Sequence, residues 1–319
     1  MRRVIAGLIL AGLISASSAD EATSNDTTWL NQVAAAARQL DYEGVVVYQH
    51  DDKMQITRIA HRHDAAGDIA RMDTLSGPDR SWLSENGHVL CYVPQKHEVS
   101  PEHHLRHPFF PGVLPVQAAD LANVYTVQAI GHARIADHDA TGVALLPKDP
   151  YRYGYLLWAD TSSHLLLRLT RLNARQHPEE QFSFTQIHIG SAPSREKLHE
   201  NFTTRHPVTS ARTETPIHST WLVQNLPAGY QLVSASQLVM PGKLQPVIHL
   251  VYSDGLSTAS LFVEPVSNPD QPRQNGLFGQ NMMNLYTRPL GNFQITALGE
   301  VPPATLMMMA DSITSTEKK

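Results

Sequence analysis

The span from Tyr42 to Gly190 consists almost entirely of short alternating stretches separated by turn residues, and one amphipathic helix precedes it. In that helix Trp29, Val33, Ala36 and Leu40 recur at helical spacing, with Asp26 or Thr27 placed to cap its start. Strand signals follow at 42–50, 54–63, 69–75, 81–84 and 88–93, and Glu85-Asn86-Gly87 is the strongest hairpin turn among them. They continue at 121–130, 140–146, 151–158, 165–172 and 181–189. Spacing this short gives antiparallel hairpins rather than βαβ units. One helix cannot cover so many strands laid flat. The pattern therefore predicts a strongly curved antiparallel sheet or open barrel, with the helix in or across its mouth.

The first strand constrains that sheet further. Tyr42, Gly44, Val46 and Tyr48 share one face; Glu43, Val45, Val47 and Gln49 share the other. Apolar residues on both faces predict cover on both, from a helix, another sheet or an apolar ligand. Residues 97–115 break the alternation: His97, His103, His104, His107, four prolines, Phe109 and Phe110 read as a long loop. No carboxylate or thiolate stands at a familiar ligand spacing from those histidines, so no metal is expected there. Phe109 and Phe110 are expected either to dock over the core or to cover a ligand cavity.

Residues 191–215 shift to Ser, Thr, Arg, Glu, His and Pro and read as a linker, with Leu198 and Phe202 placed for a brief docked turn. Beyond it, strands at 221–226, 230–240, 246–252, 256–266, 284–290 and 293–298 pair as hairpins. A terminal helix starts at Pro302-Pro303 and sets Leu306, Met309, Ala310 and Ile313 on one face. The chain thus divides into a leader at 1–19, a large domain at 20–190, a linker at 191–215 and a small α+β domain at 216–319.

The leader has the anatomy of a secretory signal. Arg2 and Arg3 precede an apolar run from Val4 to Ile14, too short to span a bilayer, and Ser17 and Ala19 suit a cut before Asp20. Losing Arg2 and Arg3 moves the formal charge from −5 to about −7, which argues against a nucleic-acid partner. Cys91 is the only cysteine, so no intrachain disulfide can form, and its run Val89–Val93 marks it as a small buried hydrophobe. Charged residues make up 17% and hydrophobic ones 42%, enough for packed cores to carry stability. No nucleophile elbow, zinc-protease helix, phosphate loop or dinucleotide fingerprint is present. Ser253-Asp254 stands in a hairpin turn, where those residues serve the backbone. The composition suits a binding protein without a cofactor, not an enzyme.

Several short motifs occur in a telling order: Tyr42-Glu-Gly44 with Tyr48-Gln-His50, Arg58-Ile59 with His61-Arg62, Ser76 to Pro78, Cys91-Tyr92 with Pro94, and Tyr151 to Trp158. Leu226 to Tyr230, His249 to Leu256, Phe262 to Pro265 and Gly299 to Thr305 follow. In this order they resemble the RseB/MucB family of periplasmic regulators of the sigma-E envelope-stress response. The resemblance implies a large domain similar to the lipoprotein carriers LolA and LolB, an unclosed β-barrel with helical cover and an apolar cavity. It also implies a small partner-binding domain, and binding to the periplasmic part of an RseA/MucA-like anti-sigma factor. That partner would be shielded from proteolysis until lipopolysaccharide or another lipid releases it; homo-oligomerisation is left open. A LolA-like lipid or lipoprotein carrier is the alternative. The chain departs from the family after Gly276-Leu277, where Phe278-Gly279-Gln280 and Met282-Met283 replace small and basic residues, so a basic contact is not carried over.

Acyl chains need only a dry groove, since each buried CH₂ contributes about 0.8 kcal/mol. Candidate lining residues are Trp82, Leu83, Tyr92, Phe109, Phe110, Tyr153, Tyr155, Trp158, Phe182 and Phe184. Arg58, Arg62 and Arg71 are candidates for lipid headgroups at a rim.

Overall fold

The computed structural model describes residues 18–96, 98–101, 110–202, 213–239, 245–266, 273–280 and 283–316. Residues 1–17 of the expected leader lie outside them, as do His97, His103, His104, His107 and Phe109. Helix α1 (Ser18–Gln39) starts earlier than the spacing of its apolar face predicts and buries Leu30, Val33, Ala34 and Ala37.

The large domain is one sheet made of two meandering wings. The first holds β1 (Tyr42–His50), β2 (Lys53–Asp64), β3 (Gly67–Thr74), β4 (Ser81–Glu85), β5 (His88–Val93) and β6 (Glu98–Pro101). After a 3₁₀ turn at Ala118–Asn123 come β7 (Tyr125–Ile135), β8 (His138–Pro147), β9 (Gly154–Asp160), β10 (Leu166–Leu172) and β11 (Pro178–Ile189). The order is β6-β5-β4-β3-β2-β1-β11-β10-β9-β8-β7, eleven antiparallel strands whose edges, β6 and β7, do not pair with each other. The barrel is unclosed. Its two wings join at β1 and β11, paired from Tyr42 opposite Ile189 to His50 opposite Glu180 with a register shift between Val45 and Val46. Gly44 lies in that junction, where a Cβ would stand 2.5 Å from the Gln186 carbonyl oxygen and 2.8 Å from the Phe184 ring. Only glycine lets the wings meet so closely there.

Helix α1 lies in the concavity against the 3₁₀ turn, β7, β10 and β2. The core between them includes Leu30, Val33, Tyr42, Val46, Leu157, Leu166 and Phe184. The outer face carries a separate cluster, where Leu198 and Phe202, on and just after the short helix α2 (Arg195–Leu198), pack on Ala60, Ile69, Leu83, Tyr92 and Val99. Polar bonds fasten this strap. Arg195 donates to Asp64 Oδ1 at 3.1 Å and pairs with Glu85, while Arg71 Nη1 donates to the Glu200 carbonyl at 2.9 Å. The docked turn at Leu198 and Phe202 is thus present, inside what composition marks as linker.

Among the described residues the expected cover of both β1 faces is complete on one face and partial on the other. Tyr42, Gly44 and Val46 are buried, whereas Glu43, Val45 and Val47 are half-buried and Gln49 is exposed. Cross-strand neighbours supply the partial shielding: Arg58 and Gln186 flank Val45, and Ile56 and Ser183 flank Val47.

The small domain adds β12 (Thr213–Pro216), β13 (Trp221–Val223), β14 (Gln231–Val239), β15 (Val247–Ser253), β16 (Thr258–Pro265), β17 (Gly276–Gln280), β18 (Met283–Leu290) and β19 (Phe293–Gly299). Helix α3 (Pro303–Asp311) and β20 (Ile313–Ser315) end it. Its main sheet runs β12-β14-β15-β16-β19-β18-β17, and β13 pairs with β20. Leu250, Tyr252, Leu261, Ile295 and Ala297 pack against Leu306, Met309 and Ala310 of α3. Ile313 joins this core from β20 rather than from the helix that the spacing predicts.

Candidate functional site

The concave face of the large domain gathers aromatic rings where β1 meets β11. Tyr48 stands opposite Phe182, and Val46 opposite Phe184. Ring centroids are 4.7 Å apart for Tyr48 and Phe182, 5.8 Å for Phe110 and Phe182, and 5.3 Å for Phe110 and Phe184. Phe110 is only 5% exposed, so this residue docks over the core. Tyr155 is buried in the same cluster. Trp82 faces the same way, because it pairs with Met72, which pairs with the core residue Ile59. Packing thins towards this wing: near α1 the face is filled, while Tyr48, Met72, Trp82 and Phe182 stay half-buried.

The groove ends on buried charge. Arg171 pairs in register with Tyr155 and is 4% exposed. Its Nε donates to Glu180 Oε2 at 2.7 Å, its Nη1 lies 3.1 Å from Glu179 Oε2, and its guanidinium stacks 4.8 Å from the Tyr153 ring centre. Burial works against the Arg171 charge, but the Glu180 hydrogen bond together with the charges of Glu180 and Glu179 more than restores it and pushes the guanidinium pKa up. Burial and the nearby Glu180 carboxylate raise the Tyr48 hydroxyl as well. Among the described residues no cluster of side chains could hold a metal.

The candidate lining divides between two faces. Leu83 and Tyr92 project outward and lie under the α2 strap, Tyr92 edge-on to Phe202 at 6.0 Å. Trp158 alternates with the core residue Leu157 and covers Gly142, where a Cβ would come within 2.5 Å of its ring. Trp158 also packs against the concave core cluster, but Leu83 and Tyr92 do not line the concave face. Neither do the arginines. Arg58 and Arg62 share the parity of Ala60, opposite to that of Ile59, and so belong to the outer face. Arg58 is exposed, Arg62 donates to Asp64 at 3.2 Å, and Arg71 is committed to Asp73 at 2.9 Å and to the strap. The three arginines expected at a headgroup rim therefore lie on the outer face of the sheet, opposite the aromatic cluster. A period of two makes this outcome legible once the core face of one residue is known.

A second built site joins the two domains. Arg152, with a fully buried side chain, receives Asp149 from its own domain and Asp254 from the small one. Its Nη1 donates to Asp254 Oδ2 at 2.8 Å and its Nη2 to the Ala228 carbonyl at 2.6 Å. Tyr125 of the large domain and Tyr230 of the small one stack on it, with centroids 5.7 and 5.6 Å away. Burial opposes this charge too, and the Asp149 and Asp254 carboxylates more than restore it. Thr305 Oγ1 donates to the Tyr151 carbonyl at 2.6 Å, and Asn284 Nδ2 to the Tyr153 hydroxyl at 3.3 Å. Tyr153 thus belongs to this joint and to the charged end of the groove. Sequence reasoning missed Arg152, although its place inside an aromatic strand was a signal.

Comparison with known proteins bears on both sites. Residues 25–202 match the MucB/RseB N-terminal domain and residues 215–314 the MucB/RseB C-terminal domain. The chain is 28% identical to the sigma factor AlgU regulatory protein MucB of Pseudomonas aeruginosa over 98% of both chains. It is 24% identical to the sigma-E factor regulatory protein RseB of Escherichia coli, over 96% of this chain and 95% of that one. A crystal structure of MucB in complex with MucA(peri) superposes with a TM-score of 0.75 at 25% identity, covering 92% of this chain and all of MucB. These relatives are regulatory binding proteins rather than enzymes. With both of its domains matched in order and nearly end to end, the chain belongs to the MucB/RseB family.

Proposed function

We propose that this protein is a periplasmic negative regulator of an envelope-stress sigma factor. It binds the periplasmic part of an RseA/MucA-like membrane anti-sigma factor, shields it from regulated proteolysis, and lets go when lipopolysaccharide or a related lipid occupies the large domain. The observation that carries partner binding is the likeness, across both domains, to MucB in complex with MucA(peri). The half-buried Tyr48, Met72, Trp82 and Phe182 support the lipid half, since they offer an apolar bed beside a charged end. A lipid carrier would need that groove alone and leaves the small domain, joined through buried charges, without a purpose.

Linkage makes the mechanism testable. Lipid that weakens partner binding is itself weakened by the partner, by the same factor. The test is a titration of the mature protein with the periplasmic segment of the anti-sigma factor, with and without saturating lipopolysaccharide. Partner affinity should fall with lipid present, and the reverse titration should return an equal factor. An unchanged partner affinity at saturating lipid sinks the release mechanism; no partner binding in either condition sinks the regulator reading.

A further inference from the structure

The Arg152 joint is divided so that neither domain depends on the other for its charge balance. On the large-domain side Asp149 already takes Nε and Nη2 of Arg152, each at 3.0 Å. On the small-domain side Asp254 Oδ1 accepts from the Leu256 and Ser257 amides at 3.1 and 2.8 Å, a turn it closes within its own domain. Oδ2 alone of that carboxylate crosses to Arg152. A buried ion pair normally resists separation because one charge is stranded in a dry site. Here parting the domains strands neither: Arg152 keeps Asp149, Asp254 keeps its turn, and water takes the vacated positions.

Two further observations point the same way. Among the described residues the buried Tyr125 hydroxyl has no hydrogen-bond partner, a penalty of the closed joint that hydration removes. At Gly229 (φ +81°) an added Cβ would stand 3.1 Å from Val124, and at Gly255 (φ +94°) 3.2 Å from Pro115, so two turns touch the large domain through backbone. Leu256 adds an apolar contact to the large-domain core. Apart from Leu256, the cross-domain partners are polar groups that water can replace: Thr305 with Tyr151 and Asn284 with Tyr153.

We propose that this joint is a two-state latch: closed and dry, it makes the domains one body, and open and hydrated, it lets them turn independently while both stay folded. The linkage proposed above needs such an element, but the latch stands or falls on the protein alone. Asp254→Asn keeps the Oδ1 bonds of the turn and sets an amide NH₂ against Arg152 Nη1. Spin labels on the two domains of the wild-type protein, without lipid or partner, should report a short distance for the closed joint and a longer one for the open. In Asp254→Asn the longer population should rise by at least about ten-fold relative to the shorter, with hydrogen exchange of β15 and β16 unchanged, and Arg152→Lys, which keeps the charge and loses the fork, should fall between. A folded Asp254→Asn with wild-type distances overturns the latch. If that variant does not fold, wild type decides: a longer distance that grows at denaturant concentrations where β15 and β16 remain protected supports the latch, and a single distance up to global unfolding overturns it.

Discussion

Replacing Glu180 by leucine should be among the most damaging single changes in the large domain. Glu180 and Arg171 are 7% and 4% exposed, and their 2.7 Å bond lies at the end of the concave groove. Truncating one partner of a buried pair costs about 3–5 kcal/mol, mostly because the other charge is left in a dry site. Arg171 retains Glu179 at 3.1 Å, whose side chain is 33% exposed, so the lower end applies: about 3 kcal/mol. Exchanging both residues for apolar ones of similar volume, Arg171→Met with Glu180→Leu, removes both desolvation costs and should lie within about 1 kcal/mol of wild type. The coupling between the two changes is then at least about 2 kcal/mol, which urea denaturation of the four proteins in a double-mutant cycle resolves. If the double variant loses as much as the two single variants together, the pair is not acting as a desolvated unit and the reasoning fails.

Gly44→Ala should destabilise by about 1–3 kcal/mol, read as a lower urea midpoint, because the new Cβ meets the Gln186 backbone, which cannot swing away. Arg58→Glu should change lipid affinity by less than about two-fold in a vesicle-binding assay, since Arg58 is on the outer face; a loss near ten-fold would return headgroup binding to that face. The Arg195 hydrogen bond holds the Asp64 carboxyl near pKa 2, below its ordinary 3.8, so the strap's ionic anchoring is complete above pH 3.8. It should be lost only as pH falls through about 2, seen as faster exchange of the 195–202 amides.

The hairpin rhythm was strong enough to predict the curled sheet, its helix and the small domain, because strand alternation and turn chemistry are local. The functional surfaces were less legible for a reason of geometry. Aromatic residues mark a strand as half-buried without saying which side is buried, so Leu83 and Tyr92 read the same as Phe182 and Phe184 until register assigns them to opposite faces. Composition also read 191–215 as linker, although Arg195, Leu198 and Phe202 fasten its first part to the outer face. The two most informative signals were arginines in apolar surroundings, Arg152 among tyrosines and Arg171 among leucines. A charge on an apolar strand face must be paired: Glu180 lies nine residues from Arg171 and Asp149 three from Arg152, whereas Asp254, the partner across the joint, is 102 residues from Arg152 and too distant in sequence to name.

Those two arginines also connect the groove to the joint. Tyr153, next in the chain to Arg152, lies under the Arg171 guanidinium and receives a hydrogen bond from Asn284 of the small domain. A ligand that shifts Phe182 or the Glu180–Arg171 pair therefore acts one residue away from the group that fastens the domains. Close packing makes such neighbours move in discrete steps rather than by smooth deformation. If this route carries the coupling, Tyr153→Ala should leave both domains folded while reducing the factor by which lipid weakens partner binding. Titrations of that variant with partner, at zero and at saturating lipid, measure the change directly. A coupling factor equal to that of wild type would exclude Tyr153 from the route and leave the groove and the joint as independent features of one chain.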